Sequence, residues 1–137
     1  MSRVKFDSES MELMALFESL TGASVKDCIA NEKIIFIIGE NDMGKAIGKS
    51  GANIKRMENK LKRKIKLVEF SGDVLQFVKN MIYPVEALGI SNEEGIITIH
   101  GRDTSSKAML IGRDHQNINH LTGIVKRYFN VREIKVV

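Results

Sequence analysis

Apolar and polar residues alternate along this chain with two periods, and the order of those periods occurs twice. Leu13, Leu16, Phe17 and Leu20 fall at i, i+3, i+4 and i+7, which predicts a helix with one apolar face. Asp7 and Ser8 stand where a cap belongs, Glu9 and Glu12 suit the positive end of the dipole, and Gly22 marks the stop. Val25–Ala30 and Lys33–Ile38 then read as two strands of a hairpin joined at Asn31-Glu32. The run from Ile34 to Ile38 is β-branched enough for a buried central strand. Beyond Gly39, Asp42 is expected to cap a short helix ending at Ile47. A second helix carries Ile54, Met57 and Leu61 on one side, and Lys64–Phe70 closes the unit as a third strand.

The same order then returns. Asp73–Ile82 predicts an amphipathic helix with Pro84 just past its end. Val85–Ile90 and Gly95–His100 predict a hairpin around Ser91-Asn92-Glu93-Glu94. Gly101, Asp103 and Thr104 echo Gly39 and Asp42, and a short helix ends at Ile111. The following helix carries Ile118, Leu121, Val125 and Tyr128, and Val131–Val137 is the last strand. The pattern is a duplicated α-β-β-α-α-β unit of about 65 residues, an internal repeat that sets the fold class as α+β. Residues 1–71 form the first domain, with its N-terminal helix, and residues 72–137 the second. One copy buries little surface alone, and Ser71-Gly72-Asp73 is too short for a free linker, so the units are expected to dock as a rigid pair.

Between the two helices that follow each hairpin lies the most informative stretch. In the first copy it reads Ile47-Gly48-Lys49-Ser50-Gly51-Ala52-Asn53-Ile54; in the second, Ile111-Gly112-Arg113-Asp114-His115-Gln116-Asn117-Ile118. Glycine lets the chain take φ > 0 and lets an anion approach the backbone, and the helix that follows offers free N–H groups. Charge supports this. Residues 44–66 hold nine Lys/Arg against the single acid Glu58, an excess of +8, although the whole chain carries only +4. Residues 1–43 are acidic, with four Lys/Arg against eight Asp/Glu. A polyanion partner is the natural inference, against the plainer reading of a solvated basic helix face.

Other chemistries find less support. Gly44-Lys45-Ala46-Ile47-Gly48-Lys49-Ser50 superficially suggests a nucleotide-phosphate loop, but that motif needs four residues between its glycines and follows a strand. His100, His115 and His120 are not at metal-binding spacing, and no cofactor or metal is expected. Cys28 is the only cysteine, in an apolar strand, which excludes an internal disulfide and suits a small core residue in a reducing, cytoplasmic setting. No run of about 18 apolar residues exists, and residues 52–64 lack aromatics to seat in a lipid interface. No membrane partner and no catalytic constellation are expected; the chain reads as a non-enzymatic protein.

The two octets carry a family resemblance. I-G-x-x-G-x-x-I between helices resembles the signature of KH domains, which clamp about four nucleotides of single-stranded RNA. Two units with the helix first look like the tandem type II KH domains of NusA, the transcription elongation and termination factors. The match is to the archaeal form, without the N-terminal polymerase-binding domain and S1 domain of the bacterial one. The resemblance covers nearly the whole chain. It implies single-stranded RNA as partner and RNA polymerase as a second partner. It assigns the backbone clamp to Gly48, Lys49, Ser50 and Gly51, and the base groove to Ile47, Ala52 and Ile54, with Lys55 and Arg56 near the strand's path. In the second unit it assigns Gly112, Arg113 and Asn117. His115 departs from the second glycine and Asp114 adds a carboxylate, so the second clamp is expected to be weaker. The alternative is a KH protein of ribosome assembly or RNA decay.

Overall fold

A computed structural model of the chain describes residues 7–31 and 33–137. It divides into two compact units, with the division between Ser71 and Gly72. Each unit has one three-stranded sheet.

In the first unit, α1 (Ser8–Thr21) starts where the Asp7 carboxylate accepts from the Ser10 amide at 2.7 Å and ends at Gly22 in the left-handed conformation. Strands β1 (Val25–Ala30) and β2 (Ile34–Ile38) pair antiparallel, with a register irregularity between Val25 and Asp27. Glu32, expected in their connection, lies outside the described residues. Then follow α2 (Met43–Ile47), α3 (Ala52–Leu61) and β3 (Ile65–Glu69). β3 pairs parallel to β2, starting from Ile34 opposite Ile65, so β2 is the central strand and is buried along its whole length. A parallel pair needs a crossover, and here the crossover is α2, the glycine turn and α3. The core joins Leu13 and Phe17 of α1 to Cys28, Ile34, Phe36 and Ile38 of the sheet and to Ala46 and Met57 of the crossover helices. Phe17 stacks on Phe36 with centroids 4.4 Å apart.

The second unit repeats this order as α4 (Val74–Ile82), β4 (Ala87–Glu93), β5 (Ile96–Gly101), α5 (Thr104–Ile111), α6 (Gln116–Val125) and β6 (Glu133–Val136). Its sheet has the order β4-β5-β6, with β5 antiparallel to β4 and parallel to β6. The repeat extends to detail: β4 has its own register irregularity between Ala87 and Gly89. Phe77 of α4 packs edge-on against Tyr128 at 5.6 Å and beside Phe129 at 5.7 Å.

Two local expectations change. The second hairpin does not turn around Ser91–Glu94. β4 runs on to Glu93, which pairs with Ile96, and the reversal takes only Glu94 and Gly95, with φ of 52° and 85°. Two positive φ values in a two-residue turn match the twist of the flanking strands. Asp42 precedes α2 but makes no side-chain cap bond, because its φ of −105° and ψ of 3° lie outside the extended region that capping uses. Its carboxylate accepts from the Ser24 amide at 2.7 Å instead, tying the start of the crossover to the chain entering β1.

Candidate nucleic-acid interface

α2 ends at Gly48, whose φ of 76° and ψ of 172° fall in a region essentially reserved for glycine. One tight turn follows, closed by the Gly51 amide donating to the Gly48 carbonyl at 3.2 Å. Ser50 (φ 55°, ψ 30°) and Gly51 (φ 75°, ψ 15°) are both left-handed, and α3 begins directly afterwards. No side chain caps α3, and the Ala52 amide at its start donates to the Lys49 carbonyl within the turn.

Asn53 holds this turn in place. Its Nδ2 donates to the Lys45 carbonyl at 2.8 Å, bridging the last turn of α2 and the first of α3. The side chain passes so close to Gly48 that a β-carbon there would lie 2.7 Å from it. At Gly51 an added β-carbon would meet nothing within 4 Å. The first glycine is therefore required twice over, by its dihedral angles and by Asn53, and the second only by its φ. The bond was not anticipated in the sequence, although an asparagine at the seventh position of both octets was its signal.

Around the turn, Lys45, Lys49, Lys55 and Arg56 are exposed, and among the described residues none of them forms an ion pair. Ile47 and Ile54 are half-buried on either side of the turn, and Ala52 is exposed between them. Met57, one turn beyond, is fully buried, so α3 has an apolar side in the core and a basic side in water. At the far end of that helix, Arg63 pairs with Glu9 at 3.2 Å and also donates to the Asn31 carbonyl. Burial, and then the neighbouring Lys33, hold the Lys66 ammonium below its ordinary value.

The second turn has the same backbone. Gly112 takes φ 76° and ψ 171°, Asp114 φ 53° and ψ 32°, and His115 φ 63° and ψ 20°. Losing the second glycine has not altered the path. The left-handed region is open to other residues at a cost, and the site has room for a side chain. Asn117 repeats the bridge: its Nδ2 donates to the Met109 carbonyl at 2.7 Å, and a β-carbon on Gly112 would lie 2.6 Å from it. One of its amide donors is thus spent within the fold. What differs is the surface. Lys45, Lys55 and Arg56 correspond to Met109, Asn119 and His120, and Asp114 stands beside Arg113.

Among the described residues no group of three or more His, Cys, Asp or Glu could hold a metal ion, and no helix is long and apolar enough to cross a membrane.

Comparison with known proteins agrees with this geometry. A KH-domain model matches residues 14–72. A probable transcription termination protein NusA of Methanococcus vannielii is 37% identical, over 98% of this chain and 80% of its own. One of Thermoplasma acidophilum is 32% identical, over 99% and 97%. The chain belongs to the archaeal NusA family. A crystal structure of the protein APE1850 aligns over 96% of this chain and all of its own, with a TM-score of 0.73 at 25% identity. The chain is accordingly α+β, built from tandem KH units of type II order, and the G-K-S-G turn belongs to the first of them.

Proposed function

We propose that this NusA-family protein binds single-stranded RNA and acts in transcription elongation and termination. The observation that carries the reading is the first glycine turn. It exposes Lys49 and Ser50 on a backbone fixed by Asn53, surrounded by four cations that no carboxylate neutralises among the described residues. A polyanion supplies the missing countercharge. Gly48, Lys49, Ser50 and Gly51 hold the RNA backbone, and Lys55 and Arg56 attract the strand as it leaves the turn. Ile47, Ala52 and Ile54 form the apolar side against which bases lie. The relatives' naming as probable transcription termination proteins makes RNA polymerase the protein partner to seek. Co-purification with polymerase supports that role, whereas recovery with ribosomal particles would favour ribosome assembly.

Titration of labelled single-stranded and duplex RNA over a range of salt tests the binding reading. A grip on about three or four phosphates gives a log–log salt slope of roughly −2 to −3, at about 0.7 per phosphate. A flat salt response, or equal affinity for duplex, would count against the reading.

A further inference from the structure

We infer that the second turn reads bases, through Met109, His115, Gln116 and Asn119, while the first turn supplies affinity for the backbone. The inference rests on the RNA-binding reading and adds a specificity-determining surface to it.

The two turns form an internal comparison in which backbone is constant and surface chemistry varies. Their dihedral angles agree within a few degrees except at Gly51 and His115, where both are left-handed. The two asparagine bridges agree within 0.1 Å. A strand therefore meets the same main-chain shape at both. The electrostatic attraction does not survive: of the four positions held by Lys45, Lys49, Lys55 and Arg56, only Arg113 keeps a permanent cation, and Asp114 offsets it.

The replacements suit bases better than phosphates. Contacts to phosphate position a strand, and contacts to base edges specify it. An ammonium group only donates, whereas the amides of Gln116 and Asn119 donate and accept and so match the paired groups of a base edge. Both are exposed on α6, three residues apart and hence on one face, while Ile118 between them is buried. Met109 is 57% exposed beside the turn, where the first unit places Lys45. An exposed thioether gains nothing from water but offers an apolar surface to a base. His115, exposed at the turn, adds a flat ring of the kind on which unstacked bases lie.

The test uses the full chain and labelled A, C and U homopolymers about three times the four-nucleotide KH footprint, alongside a randomised pool. Met109→Ser with Gln116→Ala and Asn119→Ala, checked for folding by circular dichroism, should narrow the spread of affinities among the RNAs by about fivefold or more. Its salt slope should not change. Lys45→Gln with Lys55→Gln should lower the slope by about 1.4 and leave the ranking of RNAs intact. If the triple variant keeps the full spread, or loses salt slope instead, the inference is overturned. Equal binding of all RNAs by the wild type overturns it too, while leaving RNA binding in place. Failure of the wild type to bind any of them overturns both readings together.

Discussion

A β-carbon on Gly48 would lie 2.7 Å from the side chain of Asn53, whereas one on Gly51 would touch nothing within 4 Å. The two glycines of one motif therefore do different work. Gly48 leaves space for the asparagine that bridges α2 and α3 and adopts angles that other residues avoid. Gly51 only supplies a left-handed angle, which His115 supplies in the second copy. Gly51→Ala should cost about 1 kcal/mol, the lower part of the range for a non-glycine residue forced left-handed. Gly48→Ala should cost at least about twice as much, since steric overlap adds to the strain. Urea unfolding of the two variants measures this. Equal losses would mean that Asn53 moves aside cheaply and is not the support described here.

Cys28 yields a prediction about pH. Its side chain is 2% exposed on β1, opposite Phe36. Burial, and then the Asp27 carboxylate, push the thiol up to about 12 from an ordinary 9.0. Because the folded value is raised, the neutral thiol favours the fold. Its contribution is complete below the unfolded value and is lost as pH climbs from about 9 to about 12. Cys28→Ala should show a shallower decline in stability over that window than the wild type. At neutral pH a thiol reagent should label Cys28 only as fast as the protein opens. Rapid labelling of the folded protein would contradict the assigned burial.

Most elements were legible because one simple period dominated each. Leu13, Leu16, Phe17 and Leu20 gave α1, with Asp7 and Gly22 marking its ends, and the isoleucine run gave β2. Repetition did the rest, since the two octets fixed where the crossover helices meet. What stayed hidden depended on single side chains choosing between partners. Asp42 looked like a cap, but its carboxylate goes to Ser24, eighteen residues away. Ser91, Asn92 and Glu93 looked like a turn because they are polar. They are instead the exposed end of β4, and the reversal falls to Glu94, a residue with no preference for positive φ. His115 is a milder case: histidine is among the residues that tolerate a left-handed angle, but only the duplicated architecture around it requires one there.

Asp114 in the second turn shows how to test the first. It takes φ 53° and ψ 32°, nearly the angles of Ser50 at 55° and 30°, so an aspartate at position 50 fits the backbone that is already there. Lys49 is exposed and, among the described residues, in no ion pair, so its charge can be reversed without breaking a contact of the fold. Lys49→Asp with Ser50→Asp should therefore stay within about 0.5 kcal/mol of wild-type stability. Aspartates at the two glycines Gly48 and Gly112 would be poorer probes, because they would collide with Asn53 and Asn117 before any RNA was involved. The double variant turns a positive turn negative where a phosphate is expected to sit. RNA affinity should fall by at least about tenfold, or 1.4 kcal/mol, and by most at low salt, where exposed charges are least screened. Arg113→Asp should cost less, because Asp114 already offsets that cation. Fluorescence titration of one labelled single-stranded RNA against the three proteins compares them directly. A well-folded double variant that binds as the wild type does would show that the G-K-S-G turn is not the grip, and the RNA site would then have to be sought elsewhere on the chain.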